Sequence, residues 1–226
     1  MGHPPLQSDR TDHLLERSLI DMPAIDTETF SHIRRMHDRR FPYEIACILP
    51  GEFFVSREPM VVYTVLGSCI SACIRDPIVG VGGMNHFMLP APKEHQSGDS
   101  WGGESTRYGS FAMEQLINEI LKRGGVKHRL EIKLFGAGRI YEGNIDVGAR
   151  NTEWVLQFLK TEGYSIAKSD LGDVFPRKVY YFTDSGRVLM KKIERVKNRT
   201  IYERETAYQH RIEEEPTTQQ SDITLF

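Results

Sequence analysis

The sequence has no run of about 18 apolar residues, the length a bilayer-crossing helix needs. Its first residues, MGHPPLQSDRTDHLLERS, lack the charged-then-apolar layout of a secretory signal, and Leu6 stands where a myristoylation motif has Ser or Thr. Membrane insertion and lipid anchoring are therefore not expected, and the cytoplasm is the expected compartment. An excess of one charge is missing too. Twenty-nine Lys and Arg against 31 Asp and Glu leave a formal charge of −2, so no basic field for nucleic acid exists. The local cluster HIRRMHDRR (32–40) reads as a solvated helix face. Cysteine is scarce: Cys47, Cys69 and Cys73 are too few for a disulfide framework. The C-x3-C spacing of Cys69 and Cys73 has no second Cys or His pair to complete a zinc site, so no metal is expected. FGAG (135–138) lacks both the third glycine of a dinucleotide fingerprint and a phosphate-loop lysine, so it reads as a turn and no cofactor is expected.

What is present suits one soluble domain with extensions. Residues 1–44, with Pro4, Pro5 and Pro23 and scattered charge, read as an N-terminal extension holding a short helix over 27–39 along Phe30, Ile33 and Met36. Residues 45–196 read as the domain, and the polar stretch 197–226 as a disordered tail. Within the domain, MVVYTVL, ISACIRD, RLEIKLF, YSIAKSD, KVYYFTD and RVLMKKI read as strands, the last two joined through Asp184-Ser185-Gly186 as a hairpin. One amphipathic helix is expected from Thr106 to Arg123, capped by Ser105 or Thr106 and stopped by Gly124-Gly125; another is expected from Asn151 to Gly163. The loop 91–104 between strands and helix reads as a functional wall beside a groove. Strands at both ends with helices between them predict an α+β single domain: a mixed β-sheet sandwich core flanked by helices.

Candidate chemistry centres on Cys69, where a buried strand meets the turn Gly67-Ser68. A thiol there is open to several readings: a small buried hydrophobe, a metal ligand, or a nucleophile. A nucleophile needs a base and oxyanion donors. His86, 17 residues on in GGMNHFMLP, follows a glycine-rich strand that could stand beside Cys69. The backbone N–H groups around Ser68 and Gly67 are the candidate oxyanion donors, with Gly67 allowing close approach. Thr64, Ser68 and Asn85 are the neighbours available to orient the imidazole. Cys47 and Cys73 read as structural.

LGSC followed by GGMNHFMLP resembles the chemoreceptor glutamine deamidases, the CheD family. The likeness continues through RYGSFAMEQLINEILKRGG, EIKLFGAG, IDVGARNTEWVLQFLKTEG and YYFTDSGRV, covering about residues 45–193. It implies Cys69 as nucleophile, His86 as general base and a threonine upstream of the cysteine as third member, which falls on Thr64. A shift of one strand position turns a side chain to the other face, so the facing of Thr64 is decided by tertiary structure. FGAG stands where the family more often has Gly-Gly-Ala, and Arg177 or Lys178 stands in for the arginine of a missing GG-x-x-GR. The implied reaction converts glutamine side chains of methyl-accepting chemotaxis receptors to glutamate with release of ammonia. The implied partners are receptor helices and a CheC-like phosphatase. A non-catalytic adaptor of the same fold, and a thiol enzyme acting on glutamyl methyl esters, are the competing readings.

Overall fold

Strand β4 (Val61–Leu66) and strand β5 (Ile70–Asp76) are separated by three residues, Gly67-Ser68-Cys69, and lie in different sheets. The turn is therefore the point where the chain crosses from one layer to the other. The computed structural model describes residues 29–90, 104–140, 146–194 and 199–214, and one compact unit begins at Ile33. The first sheet has the order β1 (Arg34–Met36), β2 (Ile45–Cys47), β4, β9 (Arg177–Phe182), β10 (Val188–Lys192). The second has β3 (Phe53–Ser56), β6 (Val81–Asn85), β5, β7 (Glu131–Gly136), β8 (Ile166–Leu171). Each sheet is mixed: β2 runs parallel to β4 and β7 parallel to β8, and the remaining pairs are antiparallel. The expected α+β sandwich is what forms.

Apolar burial explains the layering. β5 is buried on both faces apart from Arg75, so the alternation read in ISACIRD marks two covered faces rather than one wet one. Across the sandwich, the buried Tyr181 hydroxyl of β9 donates to the Ile74 carbonyl of β5 at 3.1 Å. Helix α1 (Glu104–Lys122) buries Met113, Leu116, Ile117 and Ile120 at helical spacing, and helix α2 (Val147–Thr161) buries Trp154, Val155, Phe158 and Leu159.

Four expectations are corrected. No helix forms over the described part of 27–39. Arg34–Met36 is instead an edge strand paired with β2, Met36 opposite Ile45, and Met36 packs on the cluster of Ile45, Val61 and Phe182. Tertiary pairing overrides the local periodicity there. Helix α1 starts at Glu104, so Ser105 and Thr106 lie inside it, past the cap position. Helix α2 starts at Val147, capped by the Asp146 carboxylate accepting from the Ala149 N–H at 2.9 Å, which places Asn151 inside the helix rather than at its start. Finally, the tail read as disordered holds helix α3 (Arg199–Glu214). Its buried residues Glu205, Tyr208 and Ile212 recur at i, i+3 and i+7, a stripe too narrow to outweigh the polar composition around it. The loop 91–104 lies outside the described residues up to 103.

Candidate active site

Cys69, His86 and Thr64 come together, each at most 2% exposed. Ile70 and Phe87 exchange both backbone hydrogen bonds at 2.9 Å. Cys69 and His86 each precede a member of that pair, so they project to the same face. Thr64, in β4, points at the histidine: its Oγ1 lies 2.8 Å from His86 Nδ1 and 2.8 Å from the Ile48 carbonyl oxygen. A carbonyl only accepts, so the single hydroxyl proton goes to Ile48, and Nδ1–H must donate to Thr64. That fixes the tautomer. Nε2 carries the lone pair, is buried, and has no hydrogen-bond partner among the described residues.

The turn 67–69 forms the second half of the site. Its carbonyls are all held from outside: Gly67 O by the Gly138 N–H at 2.7 Å, Cys69 O by the Ala137 N–H at 2.8 Å, and Ser68 O by Asn151 Nδ2 at 2.9 Å. A trans peptide points its N–H opposite to its carbonyl. Pulling the Gly67 and Ser68 carbonyls outward therefore aims the N–H groups of Ser68 and Cys69 inward, beside that of Gly67. FGAG is not the expected turn: Phe135 and Gly136 end β7, Ala137 and Gly138 follow it, and the segment braces this nest. Gly136 there has φ +116°, and a Cβ would sit 2.1 Å from Cys69 O; Ala137 follows at φ +60°. The Oδ1 of Asn151 accepts from the Leu89 N–H at 3.0 Å, tying the nest to the segment after His86.

Three adjacent N–H groups converging on one point make an anion site, and a carboxylate fills it. Glu205 of α3 accepts through Oε1 from the Gly67 N–H at 2.7 Å and the Cys69 N–H at 3.3 Å. Its Oε2 accepts from the Ser68 N–H at 2.8 Å and the Ser68 hydroxyl at 2.7 Å. Gly67 permits this contact, since a Cβ on it would come within 2.8 Å of Oε1. Cys69 Sγ, a ring nitrogen of His86 and a Glu205 oxygen lie within 4.8 Å of one another, which is metal-ligand proximity. The donor set argues against a cation. Four hydrogen bonds use the carboxylate's roughly four lone pairs, and the surrounding N–H dipoles point their positive ends inward.

Burial sets the protonation states. It pushes the Cys69 thiol well above its ordinary value, and the Glu205 carboxylate beside it pushes in the same direction. Burial alone pulls His86 down to about 3. With Glu205 seated, the pair is neutral thiol and neutral imidazole.

The remaining candidates go elsewhere. Asn85 accepts from the Ala72 N–H and donates to the Ala112 carbonyl, joining β5 and β6 to α1 instead of orienting His86. Arg177 is fully buried and braces the segment before β9 through Asp170, Gly172 and Phe175, while Lys178 is exposed. All three cysteines are free thiols, with Cys73 buried and Cys47 partly so. Two groups escaped the sequence reading. Asn151 leaves a signal, a polar residue one turn before an apolar stripe. Glu205 leaves only its spacing to Tyr208 and Ile212.

A family model described as CheD chemotactic sensory transduction matches residues 88–192. Among curated proteins, the "Probable chemoreceptor glutamine deamidase CheD" of Halorhodospira halophila is 48% identical over 200 residues, 87% of this chain and 91% of that protein. The "Probable chemoreceptor glutamine deamidase CheD 1" of Dechloromonas aromatica is 50% identical over 194 residues, 85% of this chain and 94% of that protein. The corresponding protein of Herminiimonas arsenicoxydans is 48% identical over 192 residues, 84% of this chain and 93% of that protein.

Proposed function

From the premise that this chain belongs to the CheD family, we propose that it is a chemoreceptor glutamine deamidase, a hydrolase of protein glutamine side chains working through Cys69, His86 and Thr64. The observation that carries the reading is the convergence of a thiol, an imidazole with a free Nε2 and a three-N–H nest at one buried point.

The steps follow from that geometry. A substrate carboxamide enters with its oxygen in the nest, where the Glu205 carboxylate lies in the closed form. Cys69 Sγ–H gives its proton to His86 Nε2, and the sulfur attacks the carboxamide carbon. Charge builds on the oxygen, against the N–H groups of Gly67, Ser68 and Cys69. Such preorganised donors are worth about 10²–10³-fold each in rate. The C–N bond breaks as His86 returns its proton to the departing ammonia, leaving a thioester. Water then gives a proton to Nε2 while its oxygen attacks the thioester carbon. The C–S bond breaks, and the sulfur recovers the proton. Carboxamide and water become carboxylic acid and ammonia, which leave as carboxylate and ammonium, and Thr64 holds Nδ1–H throughout so that Nε2 alone exchanges protons.

The substrate is a receptor helix glutamine in the cytoplasm, and a CheC-like phosphatase is a further partner. None of the described helices is long and apolar enough to cross a membrane. A binding-only adaptor of the same fold has no use for a fixed histidine tautomer beside a thiol. The test is incubation of purified receptor fragments with the wild type and with Cys69→Ala, reading ammonia release and peptide mass. Conversion of glutamine to glutamate by the wild type alone is the expected result. Receptor binding without any mass change in either sample would leave the adaptor.

A further inference from the structure

Resting on that reading of the site, we propose that helix α3 occupies the substrate position in cis, with Glu205 seated as a tethered copy of the reaction product. Deamidation of glutamine leaves a glutamate side chain whose carboxylate lies against the oxyanion donors and beside the thiol. Glu205 is a helix-borne glutamate in that same place, bonded to the N–H groups of Gly67, Ser68 and Cys69.

A catalytic role for Glu205 does not fit. Orientation of His86 is already done by Thr64 through Nδ1. The carboxylate fills the nest in which a substrate oxygen would have to lie, so substrate and Glu205 exclude one another. Burial raises the thiol's pKa and the Glu205 carboxylate beside it pushes the same way, the reverse of what a nucleophile needs.

The seat is built to be left. Among the described side chains of α3, the buried ones are Glu205, Tyr208 and Ile212. Beyond the nest, its polar ties to the domain include the contact of the Tyr208 and Tyr108 hydroxyls and a 3.3 Å bond from Arg211 to the Pro50 carbonyl. A helix that buries three side chains opens at modest cost. A receptor helix bearing glutamine then competes for the vacated nest, and the enzyme is active in proportion to the open population. The state with α3 seated is closed to substrate.

The test uses the full chain with Glu205→Lys, which sets a cation against the nest, and Tyr208→Ala, which weakens the same stripe without touching it. Native circular dichroism confirms that both fold. Cys69 alkylation by iodoacetamide is read at the Cys69 peptide, apart from Cys47 and Cys73, and receptor deamidation is measured alongside. Glu205→Lys should alkylate at least about tenfold faster than wild type, the factor that loss of one charge-assisted hydrogen bond gives or exceeds, and Tyr208→Ala should alkylate faster than wild type as well. Both should also deamidate receptor fragments faster. Equal alkylation in all three, with deamidation intact, overturns the seated helix and leaves the enzyme. Faster alkylation with slower deamidation overturns it as well, by making Glu205 a catalyst. Faster alkylation with no deamidation by any form, wild type included, sinks the deamidase and leaves the occupied nest standing.

Discussion

Thr64 and His86 form a one-way hydrogen bond: Oγ1 lies 2.8 Å from Nδ1, and because the hydroxyl proton is committed to Ile48, the imidazole is the donor. One threonine thereby decides which ring nitrogen is basic. Five positions in sequence separate it from Cys69, and its facing could equally have been outward had the strand been set one residue over.

Thr64→Val removes the acceptor and frees the wrong tautomer. The expected cost is about 10²-fold or more in kcat with little change in KM, while Thr64→Ser retains most activity. Steady-state kinetics on receptor fragments checks this, and a valine variant as fast as the serine variant would count against the assignment.

The pH dependence of stability follows from His86. Its folded value is pulled from 6.5 to about 3, so between those limits the unfolded chain binds a proton that the folded one does not. Stability therefore rises with pH through that window, by at most about 1.4 kcal/mol per pH unit from this group. Urea midpoints for the wild type should climb more steeply from acid to neutral pH than those of His86→Gln. Parallel slopes would sink the attribution to His86.

Gly136→Ala tests the brace under the nest. The new Cβ meets Cys69 O at 2.1 Å with φ at +116°, and overpacking plus backbone strain should cost about 3 kcal/mol or more. Gly80→Ala serves as control, since its φ is +69° with nothing within 4 Å, and about 1–2 kcal/mol is expected. Urea denaturation of the two variants separates crowding from strain.

Asn151→Leu orphans the Ser68 carbonyl and the Leu89 N–H. Each buried group left unsatisfied costs about 1–3 kcal/mol, and the Cys69 N–H loses its aim. The expected outcome is lower stability with a fall in kcat that exceeds any rise in KM. A variant that is merely less stable, with kcat intact at low temperature, would make Asn151 structural only.

Glu205→Gln turns the seated side chain into a substrate. Attack by Cys69 and then water should convert the introduced glutamine to glutamate with loss of one ammonia per chain. Intact-mass and peptide analysis after storage should therefore find the original glutamate restored at that position. In the Cys69→Ala, Glu205→Gln double variant the glutamine should persist. Its persistence in the single variant as well is the adverse outcome.

Much of the fold was legible because the signals are short-range. The run MVVYTVL, the alternation of RLEIKLF, the Leu116, Ile117 and Ile120 positions of α1 and the turn at 184–186 each depend on neighbours within a few residues. Legibility failed where a distant partner decided the matter. Arg34–Met36 is a strand because β2 lies beside it, and α3 packs through Glu205, Tyr208 and Ile212, whose partners lie far away in the chain.

By itself, the sequence determined that Cys69 follows a buried strand across a short Gly-Ser connection, that His86 follows a glycine-rich strand, and that strands lie at both ends of the domain with helices between them. The tertiary structure alone decided that Thr64 faces the imidazole, that Gly138, Ala137 and Asn151 pull three carbonyls outward, and that Glu205 sits among the N–H groups this exposes. The reason is that periodicity specifies which face of an element is covered, while aiming three peptide dipoles at one point takes contacts from residues 68 to 138 positions away in the chain, which no local pattern encodes.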